Sequence, residues 1–580
     1  MIIPVIWRSQ HQMDRVPAWG TQIPPAIPAQ SPFAAERQQE ALEAWRTLSG
    51  SEAHLLHLDA VGPTCLQVQD EARIHLLMAG PMEICQIWPL VHEVLVLPLE
   101  GDLTDAWLPV ELDWTEYEEV RSGCRGTWLR RLTPAEKIDQ LVRSGSCDLH
   151  LHTTASDGTD TPYELFERIK ANRLSSFAVT DHDLLDSLDI MHELVQSSCA
   201  NTDDPYCPIF IPGVEISVSE GRELHVLGYF PNGGHQLLNE FLTQQRRARH
   251  DRNAAMVSQL QSLGYNITLA DLVDKGQGVV GRMQAALLLT ERGYTRSTQE
   301  AFEQVLGFGK PGYIERPRPS LAEAVWQIRR AGGVPVLAHP AIYHWCGERP
   351  IVSSRLVKRL KDARSKGLLG VEAFHGEASR QACLEISAAA RYLGLVRTCG
   401  SDDHGANKQH TCLYSRDTHF LAGREILVVG ALIQDREHTW LLQENAQASS
   451  STWDDSGEWG ESGPVRFLLA RRATAGHGLG QWELPGGKVE ANESPREALR
   501  REIREELGLD AEIGALAELL THDYEDFRII LACFDVRLLE GSLILSAHDQ
   551  ISWASARQAL DMDVLAADVA LFAELERQGD

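Results

Sequence analysis

The chain sets histidine, aspartate and glutamate at the ends of successive short apolar runs, and these are residue types that hold divalent cations. His150 and His152 stand two apart in Asp148-Leu-His-Leu-His, so an extended strand turns both imidazoles to one face. Asp157 follows in Ala-Ser-Asp-Gly, Thr180-Asp-His-Asp supplies His182, and Gly213-Val-Glu-Ile supplies Glu215. Glu223-Leu-His-Val supplies His225, Leu337-Ala-His-Pro supplies His339, and Gly400-Ser-Asp-Asp-His supplies Asp402 and His404. A mixed imidazole and carboxylate set of this size fits two or three borderline cations, Mn²⁺, Zn²⁺ or Fe²⁺. Clustered cations polarise a phosphoryl oxygen and lower the pKa of a bound water. One histidine at a strand end is ordinarily a hydrogen-bonded polar residue and no more. A series along successive strands, with His-x-His and Asp-x-His pairs, is hard to produce from unrelated core groups.

A second constellation lies near the C-terminus. Trp482-Glu-Leu-Pro-Gly486-Gly487-Lys488-Val489-Glu490 precedes a helix expected over 494–507, with Ser494 at its N-cap, Pro495 at N1 and Gly508 past its end. At about 100° per residue, Glu502, Glu505 and Glu506 share one face beside a buried stripe of Leu499, Ile503 and Leu507. Clustered carboxylates repel one another, and a hard cation such as Mg²⁺ relieves the repulsion and bridges a substrate's phosphates.

The elements that must position these groups follow from the apolar pattern. Strands are expected at 148–152, 177–182, 209–217, 224–230, 334–339, 370–374 and 395–401, with amphipathic helices between them at 162–172, 320–331 and 353–366. That alternation predicts parallel strands in a barrel or a large open α/β sheet, with the chemical groups gathered at C-terminal strand ends. Residues 1–33, rich in Pro, Gln and Ala, read as a loose leader. A helix over 33–48 and alternating apolar stretches make 34–140 a small α+β domain with no chemical spacing. A further unit starts near 424, interrupted by a Ser/Gly/Trp-rich stretch at 444–463 that reads as a disordered insertion.

Five hundred and eighty residues, 43% hydrophobic and 23% charged, suit a globular chain of several domains. The net charge of −28 disfavours duplex DNA as a partner. No apolar run reaches the roughly 18–20 residues of a membrane span, and no secretory signal is evident at the N-terminus. Eleven scattered cysteines without a CxxC pair predict reduced thiols and a cytoplasmic protein.

DLHLHTTASDGTDTPYELFERI, FAVTDHD, GVEIS, LHVLGYF, AGGVPVLAHP and GSDDHG resemble the PHP (polymerase and histidinol phosphatase) superfamily over roughly residues 146–420. The likeness is to phosphoesterases acting on nucleotides and short RNA. It implies a distorted (β/α)7 barrel, a di- or trinuclear metal centre and phosphoester hydrolysis, with the nine residues above as ligands. Where such relatives often read Gly-Arg-Pro-His, this chain has Gly281-Arg282-Met283-Gln284. Arg282 is kept for a bidentate phosphate contact, whereas Gln284 cannot supply a proton or a positive charge. The basic run from Arg246 to Arg252 is either a guide for an oligonucleotide backbone or a solvated helix face.

Gly487-x5-Glu493-x7-Arg501-Glu502-Ile503-x-Glu505-Glu506-x-Gly508-Leu509 resembles the nudix box without mismatch. The likeness extends over roughly 424–578 toward MutT-type nucleoside triphosphate pyrophosphohydrolases and implies an α/β/α sandwich with a mixed sheet. By resemblance Glu502, Glu505 and Glu506 bind Mg²⁺, the Gly486 carbonyl adds a ligand and Arg501 orients a carboxylate. Asp549 becomes a further metal or base residue, and Arg472, Lys488 and Asp568 substrate contacts. Together the two units are expected to form a bifunctional phosphohydrolase of nucleotides, with short RNA or single-stranded oligonucleotide as a further partner. The competing readings are an RNA 5′-end pyrophosphohydrolase joined to an exoribonuclease, and a sensor in which one domain binds nucleotide without turnover.

Overall fold

The computed structural model describes residues 132–144, 146–201, 206–275, 281–347, 349, 351–408, 424–438, 441, 464–473, 478–490, 493–539 and 541–579, together with seven strands in residues 1–131. The chain divides into two compact units, Met1–Lys137 and Ile138–Asp580. In the first, Ile6–Ser9 pairs in parallel with Glu93–Leu99, which continues antiparallel into Gly126–Arg131 and Tyr117–Gly123. A second sheet joins His54–His57, Leu66–Asp70 and Arg73–Leu76. The stretch expected as a loose leader thus contributes a strand, Ile6–Ser9. The helix expected at 33–48 and the insertion at 444–463 lie outside the described residues.

Seven strands in chain order form the next sheet: β1 (Cys147–Leu151), β2 (Ser176–Val179), β3 (Ile209–Ser219), β4 (Glu223–Tyr229), β5 (Val334–Leu337), β6 (Gly370–His375) and β7 (Val396–Gly400). The sheet curls until its edges meet. Leu151 bridges Asp403, the His152 N–H donates to the Asp403 carbonyl (3.1 Å), and the Ser401 N–H donates to Asp148 Oδ1 (3.0 Å). Leu151, Phe177 and Val179 turn away from the barrel axis and pack under the first crossover helices against Leu165, Phe166, Ile169 and Met191, while His150 alternates to the other face. Thr161, Ser320 and Ser379 cap the helices that follow them through their side-chain oxygens, which fixes where these three crossover helices start.

One strand departs from the all-parallel expectation. β4 runs antiparallel to both β3 and β5. Only Glu220-Gly221-Arg222 separates β3 from β4, too few residues for the crossover a parallel pair requires, and Gly221 takes positive φ in that turn. The reversal sets the start of β4, with His225, at the end of the barrel where the other strands finish. Between β4 and β5 the chain makes a helical excursion, led by Asn239–Ser262 and Arg282–Glu291, with a core of its own that includes Met256, Leu260, Leu272 and Leu289.

The last part of the unit holds β8 (Arg424–Leu432), β9 (Arg466–Arg472), β10 (Trp482–Glu483), β11 (Gly486–Lys488), β12 (Ala511–Asp523), β13 (Phe527–Leu538) and β14 (His548–Ser555). β8 is parallel to β13 and antiparallel to β11, and β12 is antiparallel to β13, so the sheet is mixed as expected. A smaller sheet joins β10, β9 and β14. Helices Pro495–Leu507 and Ala566–Gly579 complete the layers.

Barrel and sandwich are in contact. The Val352 N–H donates to the Leu519 carbonyl (2.7 Å), Ile351 bridges Leu520, and Arg397 pairs with Glu425. Cys199, at the end of its helix, and Cys207 are only 8 residues apart in sequence and form a disulfide, which corrects the expectation of thiols throughout. Cys147, Cys346, Cys383, Cys399 and Cys533 take part in no disulfide. Among the described residues no helix is long and apolar enough to cross a membrane.

Candidate metal centres

At the mouth of the barrel Glu215 is the hub. Its Oε2 lies 3.4 Å from His150 Nε2, 3.3 Å from His152 Nε2 and 3.1 Å from His182 Nδ1. Its Oε1 lies 2.8 Å from His225 Nδ1 and 3.1 Å from His339 Nε2. Asp402 Oδ1 stands 3.3 Å from both His150 Nε2 and His152 Nε2, and Asp157 reaches His404 (3.3 Å) and His182 (3.7 Å). All nine sequence-derived candidates therefore meet. Three sets of donors fall within 4.8 Å: His152, Asp157, His182 and His404; His150, His152, Glu215 and Asp402; and His182, Glu215 and His225. Shared members make the sets neighbours.

The donors fit cations. His150 Nε2, His152 Nε2, His182 Nδ1, Glu215 Oε2 and Asp402 Oδ1 are buried without a hydrogen-bond partner, which is costly for polar atoms unless something else meets them. Burial drags His182 down to about 4, more than Glu215 and Asp157 offset, so it is a neutral imidazole with a free lone pair. Burial opposes ionisation of Glu215 too, but the surrounding imidazoles of His182, His225 and His150 outweigh it and hold the carboxyl well below its usual range. Left-handed backbone at His339 (φ 32°) and Asp402 (φ 54°) is strain stored at the site.

Two groups escaped the sequence reading. Glu372, fully buried on β6, places Oε1 3.0 Å from His150 Nδ1 and accepts the His339 N–H at Oε2 (2.7 Å). His375, at the end of the same strand, aims an unpartnered Nε2 toward Asp402 Oδ2, 3.6 Å away. The strand Gly370–His375 was expected, but a Glu and a His three apart carry no metal spacing on a strand.

Beside the imidazoles lies a crowd of guanidinium groups. Arg282 and Arg318 share Glu223 (3.1 and 2.8 Å), itself 4.0 Å from His225, while Arg249 and Arg316 share Asp183 (2.6 and 3.1 Å). Arg252 is buried, and its Nε has no partner. Burial, then repulsion from Arg249, Arg282, Arg316 and Arg318, lowers it to about 9. Five cations against two carboxylates leave this pocket short of negative charge. Gln284 takes no part in it: its Oε1 accepts the Gly281 N–H (2.8 Å) and closes the start of the helix.

In the sandwich, Arg501 organises the acidic helix. It binds Glu493 through Nε and Nη2 (3.2 and 2.7 Å), Glu502 at 2.9 Å, Glu505 at 3.2 Å and the Lys488 carbonyl at 3.0 Å. Glu506 Oε2 accepts the Gly486 N–H (3.0 Å), and burial raises this carboxyl to about 7. Glu505 is largely exposed, and the three metal-type donor sets found among the described residues all lie in the barrel. Arg472 pairs with Glu483 (2.7 Å), which also meets His548 Nε2 (3.0 Å), and buried Asp568 accepts the Leu484 N–H (3.3 Å). The Lys488 side chain is exposed. Asp549 does not join them: a register shift in β14, where Arg471 pairs with Gln550 and Arg472 with His548, leaves Asp549 exposed on Arg471 (2.7 Å) while His548 is buried.

A barrel mouth ringed by cation donors and guanidinium groups, joined to a sandwich with an Arg-organised glutamate helix, defines a metal-dependent phosphohydrolase. The family described as PHP domain matches residues 148–315, and that described as NUDIX domain matches 453–574. A "5′-3′ exoribonuclease Rnm" of Escherichia coli K12 is 33% identical over 267 residues, covering 44% of this chain and 84% of that protein. A "3′,5′-nucleoside bisphosphate phosphatase" of Chromobacterium violaceum is 31% identical over 265 residues, 44% of this chain and 86% of that protein. A "CTP pyrophosphohydrolase" of Escherichia coli K12 is 37% identical over 106 residues, 18% of this chain and 78% of that protein. The chain belongs to the PHP family of phosphoesterases and carries a C-terminal nudix hydrolase domain.

Proposed function

We propose that the barrel hydrolyses a phosphoester of a nucleotide or short oligonucleotide, and that the nudix domain splits a nucleoside triphosphate into monophosphate and pyrophosphate. The observation that carries the barrel reading is the juxtaposition of nine convergent metal donors with five guanidinium groups. His150, His152, Asp157, His182, Glu215, His225, His339, Asp402 and His404 would hold two or three Mn²⁺, Zn²⁺ or Fe²⁺ ions, while Arg282 and its neighbours hold the substrate's phosphate. In the nudix site Glu502, Glu505, Glu506 and the Gly486 carbonyl would hold Mg²⁺, with Arg501 fixing the carboxylates and Arg472 and Asp568 facing the nucleoside. Bound cations would neutralise phosphoryl charge and acidify a water at both sites. Their absence from the carboxylate and imidazole sets would leave the orphaned donors above without partners. Nucleotide chemistry fits a cytoplasmic enzyme, and the net charge of −28 argues against duplex DNA as a substrate.

The purified chain, given Mg²⁺ and Mn²⁺ and a panel of nucleoside tri- and monophosphates, is expected to release pyrophosphate from the former and orthophosphate from nucleotides. Asp402→Asn should abolish only the orthophosphate and Glu505→Gln only the pyrophosphate. Orthophosphate release untouched by Asp402→Asn would sink the barrel assignment. The similarity to an exoribonuclease supports a second reading, in which the barrel degrades RNA from its 5′ end. Binding of short RNA that weakens steeply with salt would favour it.

A further inference from the structure

The helical excursion before β5 ends in the loop Gly307-Phe308-Gly309-Lys310-Pro311-Gly312-Tyr313. Phe308 is 84% exposed, an aromatic ring left in water beside a site built for charge. Its ring packs edge-on against Tyr313, with centroids 5.4 Å apart. The Arg282 guanidinium lies 5.6 Å from the Tyr313 ring centroid. Arg282 is also 3.1 Å from Glu223, which stands 4.0 Å from the imidazole of His225. Aromatic ring, guanidinium and metal-type imidazole thus follow one another along a single line of contacts.

That order has a chemical counterpart. A nucleotide carries a flat base, a sugar and a phosphate in sequence, and proteins hold such ligands by stacking the base on an aromatic or guanidinium face while cations take the phosphate. Resting on the phosphoesterase reading of the barrel, we propose that Tyr313, flanked by Phe308, is the seat for the base of the barrel's substrate. Arg282 links that seat to the phosphate pocket, and the enzyme thereby prefers nucleotides over phosphoesters of plain sugars. Stacking makes no demand on hydrogen-bonding edges, so the seat distinguishes base from no base and is tolerant of which base.

The test compares binding of adenosine 5′-phosphonate with ribose 5-phosphonate by calorimetry, carbon replacing the ester oxygen so that neither is hydrolysed. The wild-type chain is expected to favour the adenosine compound by roughly 5- to 150-fold, the range of one base stacked on one aromatic ring. Tyr313→Leu should erase the preference and leave affinity for the ribose compound unchanged, and Tyr313→Phe should keep it. A base preference abolished by Arg472→Ala, whose side chain lies in the nudix domain, belongs to that domain and overturns the proposal. So does equal affinity of wild type for the two compounds, or a preference intact in Tyr313→Leu. Because binding is read without turnover, a chain that bound as expected but released no orthophosphate would refute the hydrolytic reading and leave the base seat standing.

Discussion

Glu215 touches five imidazoles, yet the residue that fixes their orientation is the one beneath. Glu372 is fully buried and holds His150 by its Nδ1, so that imidazole cannot turn without breaking a charge-assisted bond, and it fixes the backbone from which His339 projects. Glu372→Ala is expected to lower cation affinity of the barrel by roughly 10- to 100-fold, read by competition with a chelator. Excess cation should restore orthophosphate release, and pyrophosphate release should not change. Unaltered affinity would mean that the imidazoles are positioned by packing alone. A second buried carboxyl makes a prediction about pH. Burial, with repulsion from Glu483 adding to it, raises Asp568 from 3.8 to about 7. The folded chain therefore keeps a proton there that the unfolded chain has released, and stability falls as pH rises from about 4 to about 7 before levelling off. Asp568→Asn removes the titration, so its gain in Tm over wild type should be larger at pH 8 than at pH 5; an equal gain at both would show that the carboxyl ionises freely in the fold.

At the scale of elements, a turn decides whether the nudix helix can present its acids. A Cβ on Gly487 would sit 2.3 Å from Glu502 Oε1, so the glycine leaves the space that the carboxylate fills. Gly487→Ala must push Glu502 aside, and pyrophosphate release is expected to fall sharply while orthophosphate release persists; retained pyrophosphate release would show that Glu502 has another productive position. This arrangement was legible because the Gly-Gly turn, the Ser-Pro start and the Glu spacing are local, each within a few residues of the next. The barrel's candidate donors were legible for a related reason: most lie at the ends of apolar runs, and the barrel brings those ends together whatever the intervening lengths. What escaped is what depends on register or on distant pairing. His548 and Asp549 are adjacent and both polar, and only the register shift in β14 decides which of them is buried. Arg249, Arg252, Arg282, Arg316 and Arg318 come from separate segments that no spacing unites. The reversal of β4 turned on the short Glu220-Gly221-Arg222 connection, overlooked in favour of the general strand–helix rhythm.

For the whole of the second unit, the question is whether barrel and sandwich are two domains on a tether or one body. Their contact is hydrogen-bonded and charged as well as apolar. Val352 and Ile351 engage Leu519 and Leu520 of β12, Tyr392 meets Phe534 with ring centroids 6.3 Å apart, and Arg397 on β7 pairs with Glu425 on β8. Arg397 also donates to the Ser387 hydroxyl (2.9 Å), and Glu425 has Arg528 at 3.8 Å, so the pair sits in a network away from water. Breaking a buried ion pair from one side leaves the other charge uncompensated, a loss of about 3–5 kcal/mol, far more than an exposed pair contributes. Glu425→Ala leaves the Arg397 guanidinium, 7% exposed, without its carboxylate. If the contact unites the domains, thermal inactivation of both activities should shift down together, the barrel's as much as the sandwich's, although Glu425 belongs to the sandwich. Inactivation of pyrophosphate release alone would show that the barrel folds and works independently of its neighbour. A joint shift would mean that the nudix domain is part of what holds the barrel's β7 edge, and with it Asp402 and His404 just beyond, in place.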